Sequence, residues 1–281
     1  MPTFETPNPI TATVTVVAGD VRITAGDAGT TTVTVEPTDA SNGEDRKAAE
    51  QTRVEYTNGH LLVRTPKLRS WLPGTRGGSV DVTVELPAGS TVQAGAALAD
   101  FTLAGPLAEL RLKTGLGHVQ IARVGTLDVK TGIGDISVDR VTGHAGINSG
   151  SGEIRVRELD NSAVIKNANG STWVGQAGGD LRVSAANGSI AIDAAQASVV
   201  AKSANGDVRV GEAMRNSVVL ETSIGDLEVG IPEGTAAWLD VRAHAGKVRN
   251  GLEASSAPDA AAEKVEVRAR TTAGDVVIRR A

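Results

Sequence analysis

Thr131-Gly132-Ile133-Gly134-Asp135-Ile136-Ser137-Val138 decides how the rest of this chain is read. A glycine is followed by a short polar residue and then by an alternating apolar pair, Ile136 and Val138, which is a turn opening into a strand. The arrangement recurs at Gly117, Gly134, Gly152, Gly170, Gly188, Gly206 and Gly225, in steps of 17, 18, 18, 18, 18 and 19 residues. The residue after each glycine is His118, Asp135, Glu153, Ser171, Ser189, Asp207 or Asp226. The register runs on less evenly to Gly246 and Gly274, and back to Ala99, 18 residues before Gly117. A fixed period of this length is the signature of a stacked architecture.

Counting from the glycine turns the chain into columns, and the side-chain period of two in a strand tells which columns face inward. Seven before it stand Leu110, Leu127, Ala145, Ala163, Leu181, Val199, Val218 and Leu239. Five before it stand Leu112, Val129, Ile147, Ile165, Val183, Ala201, Leu220 and Val241. Two and four after it stand pairs such as Ile154/Val156 and Val208/Val210. These columns are the expected core, and no rung could bury its face alone. Three before the glycine lie small, often polar residues (Thr114, Thr131, Ser149, Asn167, Ser203, Thr222), expected to form ladders where the coil bends. Asn169, Asn187 and Asn205 precede their glycines and suit positive-φ corners. An antiparallel meander has no reason to return each strand to one phase every 18 residues. The expected fold is therefore all-β, a parallel β-helix or β-solenoid with about 18 residues per rung. Two strands and a weaker third side, near Val141-Thr142-Gly143 and Ala177-Gly178-Gly179, make each rung, with the handedness open.

Composition agrees. Only six of 281 residues are aromatic, so Val, Ile, Leu and Ala must fill the interior, and 33 glycines serve the corners. A net charge of −5 and few stacking rings make nucleic acid an unexpected partner. Cysteine is absent, which removes thiol catalysis and disulfides. Neither a basic, apolar leader nor a run of ~18 apolar residues occurs, so no transmembrane segment is expected. The expected location is cytoplasmic, with an exported form left open.

Two regions are expected: residues 1–90 as an irregular N-terminal β portion capping the solenoid, and 91–281 as the regular solenoid, with insertions near 231–238 and 250–263. Thr13–Ile23 resembles Arg53–Val63, and Gly19, Gly59 and Ala99 are 40 residues apart. Each unit adds a proline-closed strand, Thr32–Pro37 and Val80–Pro87, and a short helix is expected over Gly43–Gln51. The last strands, Val265–Arg270 and Val276–Arg280, are expected to form an uncovered rung, guarded by Arg279 and Arg280 or used for pairing with another subunit.

Candidate sites are few. Gly-x-Gly-Asp segments lack the following helix of a phosphate loop and the nine-residue period of calcium repeats, so they read as turns. A basic column four before the glycine (Lys113, Lys130, Lys166, Lys202, Arg242, Arg270) reads as a solvated face, or else as a stripe for a glycan or anionic surface. Trp173 falls in an outward column beside Arg155, either stacking a ligand or lying over small neighbours. The loop 66–78 carries Lys67, Arg69, Trp71, Leu72 and Arg76, a set suited to a partner or membrane surface. His60, His118, His144 and His244 lie in different columns, so catalytic, cofactor and metal sites are not expected.

The segments Thr131–Val138, Asn167–Gly175, Ala204–Gly211 and Ala49–Tyr56 resemble a bacterial, largely actinobacterial, β-strand-repeat family of unknown function (domain-of-unknown-function family 4097). Its members are labelled "putative adhesin". The resemblance spans essentially the whole chain and implies the solenoid without assigning ligand residues. The expected function is a non-enzymatic β-solenoid scaffold or binding module with an unknown protein partner or self-association through the C-terminal rung. The alternatives are adhesin-like glycan binding and, behind it, a polysaccharide-active β-helix enzyme.

Overall fold

The computed structural model describes residues 2–66, 78–252 and 263–281. Contacts divide the chain into two units, Met1–Asp139 and Arg140–Ala281. The first unit contains β1 (Thr3–Glu5), β2 (Thr11–Gly26), β3 (Thr30–Pro37), α1 (Gly43–Glu50), β4 (Arg53–Thr57), β5 (His60–Arg64), β6 (Val80–Pro87), β7 (Thr91–Leu116) and β8 (Val119–Ile133). β9 (Ile136–Val141) leads into the second unit, which begins with β10 (Ala145–Ser151), β11 (Ile154–Leu159), β12 (Ala163–Asn169), β13 (Thr172–Ala177), β14 (Leu181–Asn187) and β15 (Ile190–Ala195). It continues with β16 (Val199–Asn205), β17 (Val208–Ala213), β18 (Asn216–Ile224), β19 (Leu227–Ile231), β20 (Ala236–Ala245), β21 (Val248–Asn250), β22 (Lys264–Ala273) and β23 (Val276–Arg280).

In the second unit every other strand stacks in parallel. β10, β12, β14, β16 and β18 form one face in register, and β11, β13, β15, β17 and β19 form its neighbour. The third side is a short connection held by backbone bonds such as Gly178 N–H to Leu159 O and Gln196 N–H to Ala177 O. The expected columns are the core: Ile147, Ile165, Val183, Ala201 and Leu220 are all buried, as are the apolar pairs after each glycine. Each buried aliphatic contributes about 1.5–3 kcal/mol against backbone ordering.

The inward hydroxyl column is buried, but its members do not bond one another. Ser203, Thr222 and Thr271 each donate to the carbonyl of a corner glycine in the adjacent rung, Gly188, Gly206 and Gly225, at 3.0, 2.9 and 3.0 Å. Asn167 Nδ2 does the same to Gly152 O. The side-chain ladder stands instead on the exposed corner, where Asn205 donates to Asn187 and Asn187 to Asn169.

In the first unit β7 and β8 stack in parallel, and the parallel coil reaches back to β2, which pairs with β7 from Thr11↔Thr91 to Thr24↔Ala104. On its other side β2 pairs in parallel with β5 and β6, and antiparallel β4 and β3 then cover those two strands. The likeness of Thr13–Ile23 to Arg53–Val63 does not carry over into structure. Gly19 continues a parallel strand beside Ala99, whereas Asn58 and Gly59, with φ of 50° and 80°, form a two-residue hairpin. Positive φ at both positions is the turn that matches the twist of antiparallel strands. Helix α1 starts at its cap Asn42, whose Oδ1 accepts from Glu44 N–H. Buried Asp45 ties the helix down by accepting from Ser79 and Asp39 N–H.

The C-terminal order differs from expectation. β22 lies between β18 and β20, and β23 lies between β19 and β21. The last strands are thus an inner rung, and among the described residues it is the preceding segment, 236–250, that has no strand on its other side. The corner glycines stack in the same order: a Cβ on Gly274 would lie 2.0 Å from Gly225 O, and one on Gly246 would lie 1.8 Å from Gly274 O. The phase of the sequence is the same for both rungs, so it assigns their faces and not their neighbours. Among the described residues no helix is long and apolar enough to cross a membrane.

Candidate functional site

Lys67, Arg69, Trp71, Leu72 and Arg76 lie outside the described residues. Trp173 stands on β13 between Arg155 of β11 and Ala191 of β15. It is half-buried, with the Arg155 guanidinium 5.7 Å from the ring centroid and Nε1 donating to Asp193 Oδ1 at 3.2 Å. A Cβ on Gly175 would lie 2.5 Å from Arg157 O of the adjacent rung and 3.2 Å from Trp173 Cη2, so the glycine is required chiefly by the close backbone approach and also leaves room for the indole edge. Ring, guanidinium and carboxylate form one fixed outer cluster.

Arg279 and Arg280 turn inward to their own chain. Arg279 Nε meets Glu228 Oε1 at 2.6 Å, and Arg280 donates to the carbonyls of Pro232 and Thr235. They brace the inner C-terminal rung against the 232–235 connection rather than guarding a free edge.

The Gly-Asp corners are structural. Asp207 Oδ1 accepts from Asp226 N–H, Asp226 Oδ1 from Asp275 N–H and Asp275 Oδ1 from Lys247 N–H, at 2.7–2.9 Å. In the first unit Asp100 Oδ1 accepts from His118 N–H, and His118 Nδ1 faces Asp135. His144 Nδ1 meets Ser162 Oγ at 3.0 Å. The basic column is interleaved with acids, as in Lys130–Asp128, Lys202–Glu221 and Arg270–Asp240. Among the described residues no group of three or more His, Asp or Glu side chains is placed to hold a metal ion.

What the sequence reading missed is the rung 236–250. β20 pairs on one side with β22, and no described strand lies on its other side. Leu239 and Val241, which occupy core columns closed in the inner rungs, are only half-buried here. Trp238 is 58 % exposed and Val248 48 %. Asp240 accepts from Arg270 at 3.0 Å and meets Arg242 at 3.3 Å. The Arg270 hydrogen bond, aided by the charges of Arg242, Arg270 and Arg268, holds its carboxyl below the usual carboxylate range.

A family model described as Toastrack DUF4097 matches residues 11–279, from the first parallel strand to the last. The chain belongs to this family. The Toastrack match spans both units and both stretches of parallel coil. Among solved structures, a protein of Parabacteroides distasonis ATCC 8503 described as a putative adhesin is similar at 15 % identity and TM-score 0.46, over 98 % of this chain and 95 % of that one. A second, from Parabacteroides merdae ATCC 43184 and described in the same words, is 13 % identical with TM-score 0.42, over 99 % and 94 %. A Parabacteroides distasonis protein described as a putative lipid binding protein is 12 % identical with TM-score 0.42, over 98 % and 95 %. No curated protein matches the chain.

Proposed function

We propose that this Toastrack chain is a non-enzymatic β-solenoid scaffold that binds through the open rung of its second unit. The observation that supports this reading is the state of β20: core-column residues left half-buried beside an exposed Trp238, on a strand with one edge unpaired among the described residues. Exposed edges of this kind are templates for a further strand, and an exposed Trp is a common anchor of protein interfaces. His118 and His144 are engaged in their own corners, which favours a binding over a catalytic role.

Pull-down from the native host, followed by mass spectrometry, tests the reading with wild type, Trp238→Ala and Val241→Pro. Partners captured by wild type are expected to be lost from both variants. Retention of every partner by both would overturn it.

An adhesin-like, glycan-binding reading is favoured by the Trp173, Arg155 and Asp193 cluster, since an indole beside a charged pair suits a sugar ring. It predicts that Trp173→Ala weakens binding on a glycan array, and equal binding by the variant removes it.

A further inference from the structure

We infer that the occupant of the open rung is a second copy of this chain, joined by antiparallel pairing of β20 with itself and with Val241 on the two-fold axis. This inference rests on the open-rung reading and names its partner.

The backbone sets the first condition. Ala236 N–H donates to the carbonyl of Glu263, the residue just before its register partner Lys264 at the start of β22. In a parallel ladder alternate residues point both of their backbone groups to one side, so the even-numbered residues of β20 from Ala236 to Arg242 face β22. The N–H and C=O groups of Ala237, Leu239, Val241 and Ala243 therefore point to the open side. In an antiparallel pair, residues that exchange both hydrogen bonds sit directly opposite. With Val241 opposite Val241, Leu239 falls opposite Ala243, and the outward-pointing groups of 239–243 meet groups on the other copy; the ladder ends before Ala245, whose carbonyl accepts from Gly274 N–H of its own chain.

Side chains set the second condition. In the same register Asp240 falls opposite Arg242 of the second copy, twice by symmetry, and Trp238 falls opposite His244. These are the non-hydrogen-bonded pairs, where side chains approach most closely and opposite charges or aromatic pairs stabilise. The inward residues Leu239, Val241 and Ala243 remain on the core side in both copies, so the half-buried columns become covered. Sliding by one step of the same parity sets Asp240 against Asp240 or Arg242 against Arg242, and an odd register opposes inward to outward residues. A two-fold interface requires a self-complementary surface, and the run Trp238-Leu239-Asp240-Val241-Arg242-Ala243-His244 is one about its centre. Arg242, which meets Asp240 of its own strand at 3.3 Å, has a side chain 72 % exposed and within reach of the facing copy.

Light scattering and sedimentation equilibrium of the purified full chain over a wide concentration range test the inference. Wild type is expected to dimerise. Asp240→Arg and Arg242→Asp are each expected to raise the dimer dissociation constant by at least about tenfold, because like charges then oppose each other twice. An equimolar mixture of the two variants is expected to recover a heterodimer, since each supplies the charge the other has lost. Val241→Pro, which removes the N–H on the axis, is expected to be monomeric. Circular dichroism verifies that the variants fold, and amide exchange on wild type gives a readout without substitution: Leu239, Val241 and Ala243 should gain protection as concentration rises. A monomeric wild type overturns the inference, as does a dimer indifferent to both charge variants and to Val241→Pro. A monomeric wild type whose host partners disappear with Trp238→Ala and Val241→Pro overturns only the second copy and leaves open-rung binding in place.

Discussion

Gly134 and Gly59 both have positive φ, 142° and 80°, yet the chain needs them for different reasons. A Cβ on Gly134 would lie 2.0 Å from Gly117 O in the adjacent rung, whereas one on Gly59 would meet nothing within 4 Å. Gly59→Ala should therefore cost only the left-handed backbone term, about 1–2 kcal/mol. Gly134→Ala adds overlap with backbone that cannot move without opening the stack, and should cost at least about 3 kcal/mol. Equal losses in denaturant unfolding would mean that corner glycines are kept for φ alone. Asp240 offers a second test at this scale. Its carboxyl is held low chiefly by the hydrogen bond from Arg270. A depressed folded-state pKa stabilises above the unfolded value, and that contribution is lost as pH falls through the folded value. Its carbon resonance should therefore titrate below the usual carboxylate range in wild type and move up in Arg270→Gln. An unchanged midpoint would remove Arg270 as the cause.

Among elements, the rungs differ in what the sequence discloses. The glycine step and the flanking apolar columns were enough to read a parallel coil, because each column residue must repeat its direction when strands stack in register. Two features were not legible. Arg53–Val63 reads like Thr13–Ile23 around an equivalent glycine, but the pair Asn58-Gly59 takes the hairpin conformation and reverses the chain. The segments 236–250 and 264–280 share one phase, so either could cover 216–231, and only the three-dimensional pairing selects the later one. The candidate site was hidden with it: Trp238 reads as one more outward residue until the rung beyond it proves to be absent among the described residues. Rung order can be tested directly because the native chain has no cysteine. Arg268 is the register partner of both Val219 and Asp240. The pair Val219→Cys with Arg268→Cys should form a disulfide under mild oxidation, since neighbouring strands lie within its reach. Val219→Cys with Asp240→Cys spans two rungs, roughly 9.6 Å, and should remain reduced. The opposite outcome would restore the sequential order.

For the whole molecule, an unpaired rung links stability to concentration. Pairing through β20 requires the folded edge, with its backbone groups aligned by β22, so the unfolded chain has nothing equivalent to offer. Whatever binds only the native state raises stability by RT ln(1 + [L]/Kd), about 2.7 kcal/mol at a hundredfold excess over Kd. For a unit of this size each kcal/mol shifts the melting temperature by roughly 2–4 °C. Wild type should therefore melt about 5–10 °C higher when its concentration is raised from near the dimer Kd to a hundredfold above it. Val241→Pro should start lower, because the outermost rung is perturbed, and should show no such rise. The slope with concentration, rather than the absolute melting temperature, separates association through this edge from a change in the coil itself. Equal slopes for wild type and Val241→Pro would place any association elsewhere on the surface, and β20 would then be an edge protected by its own charges, Asp240 and Arg242, instead of one that pairs.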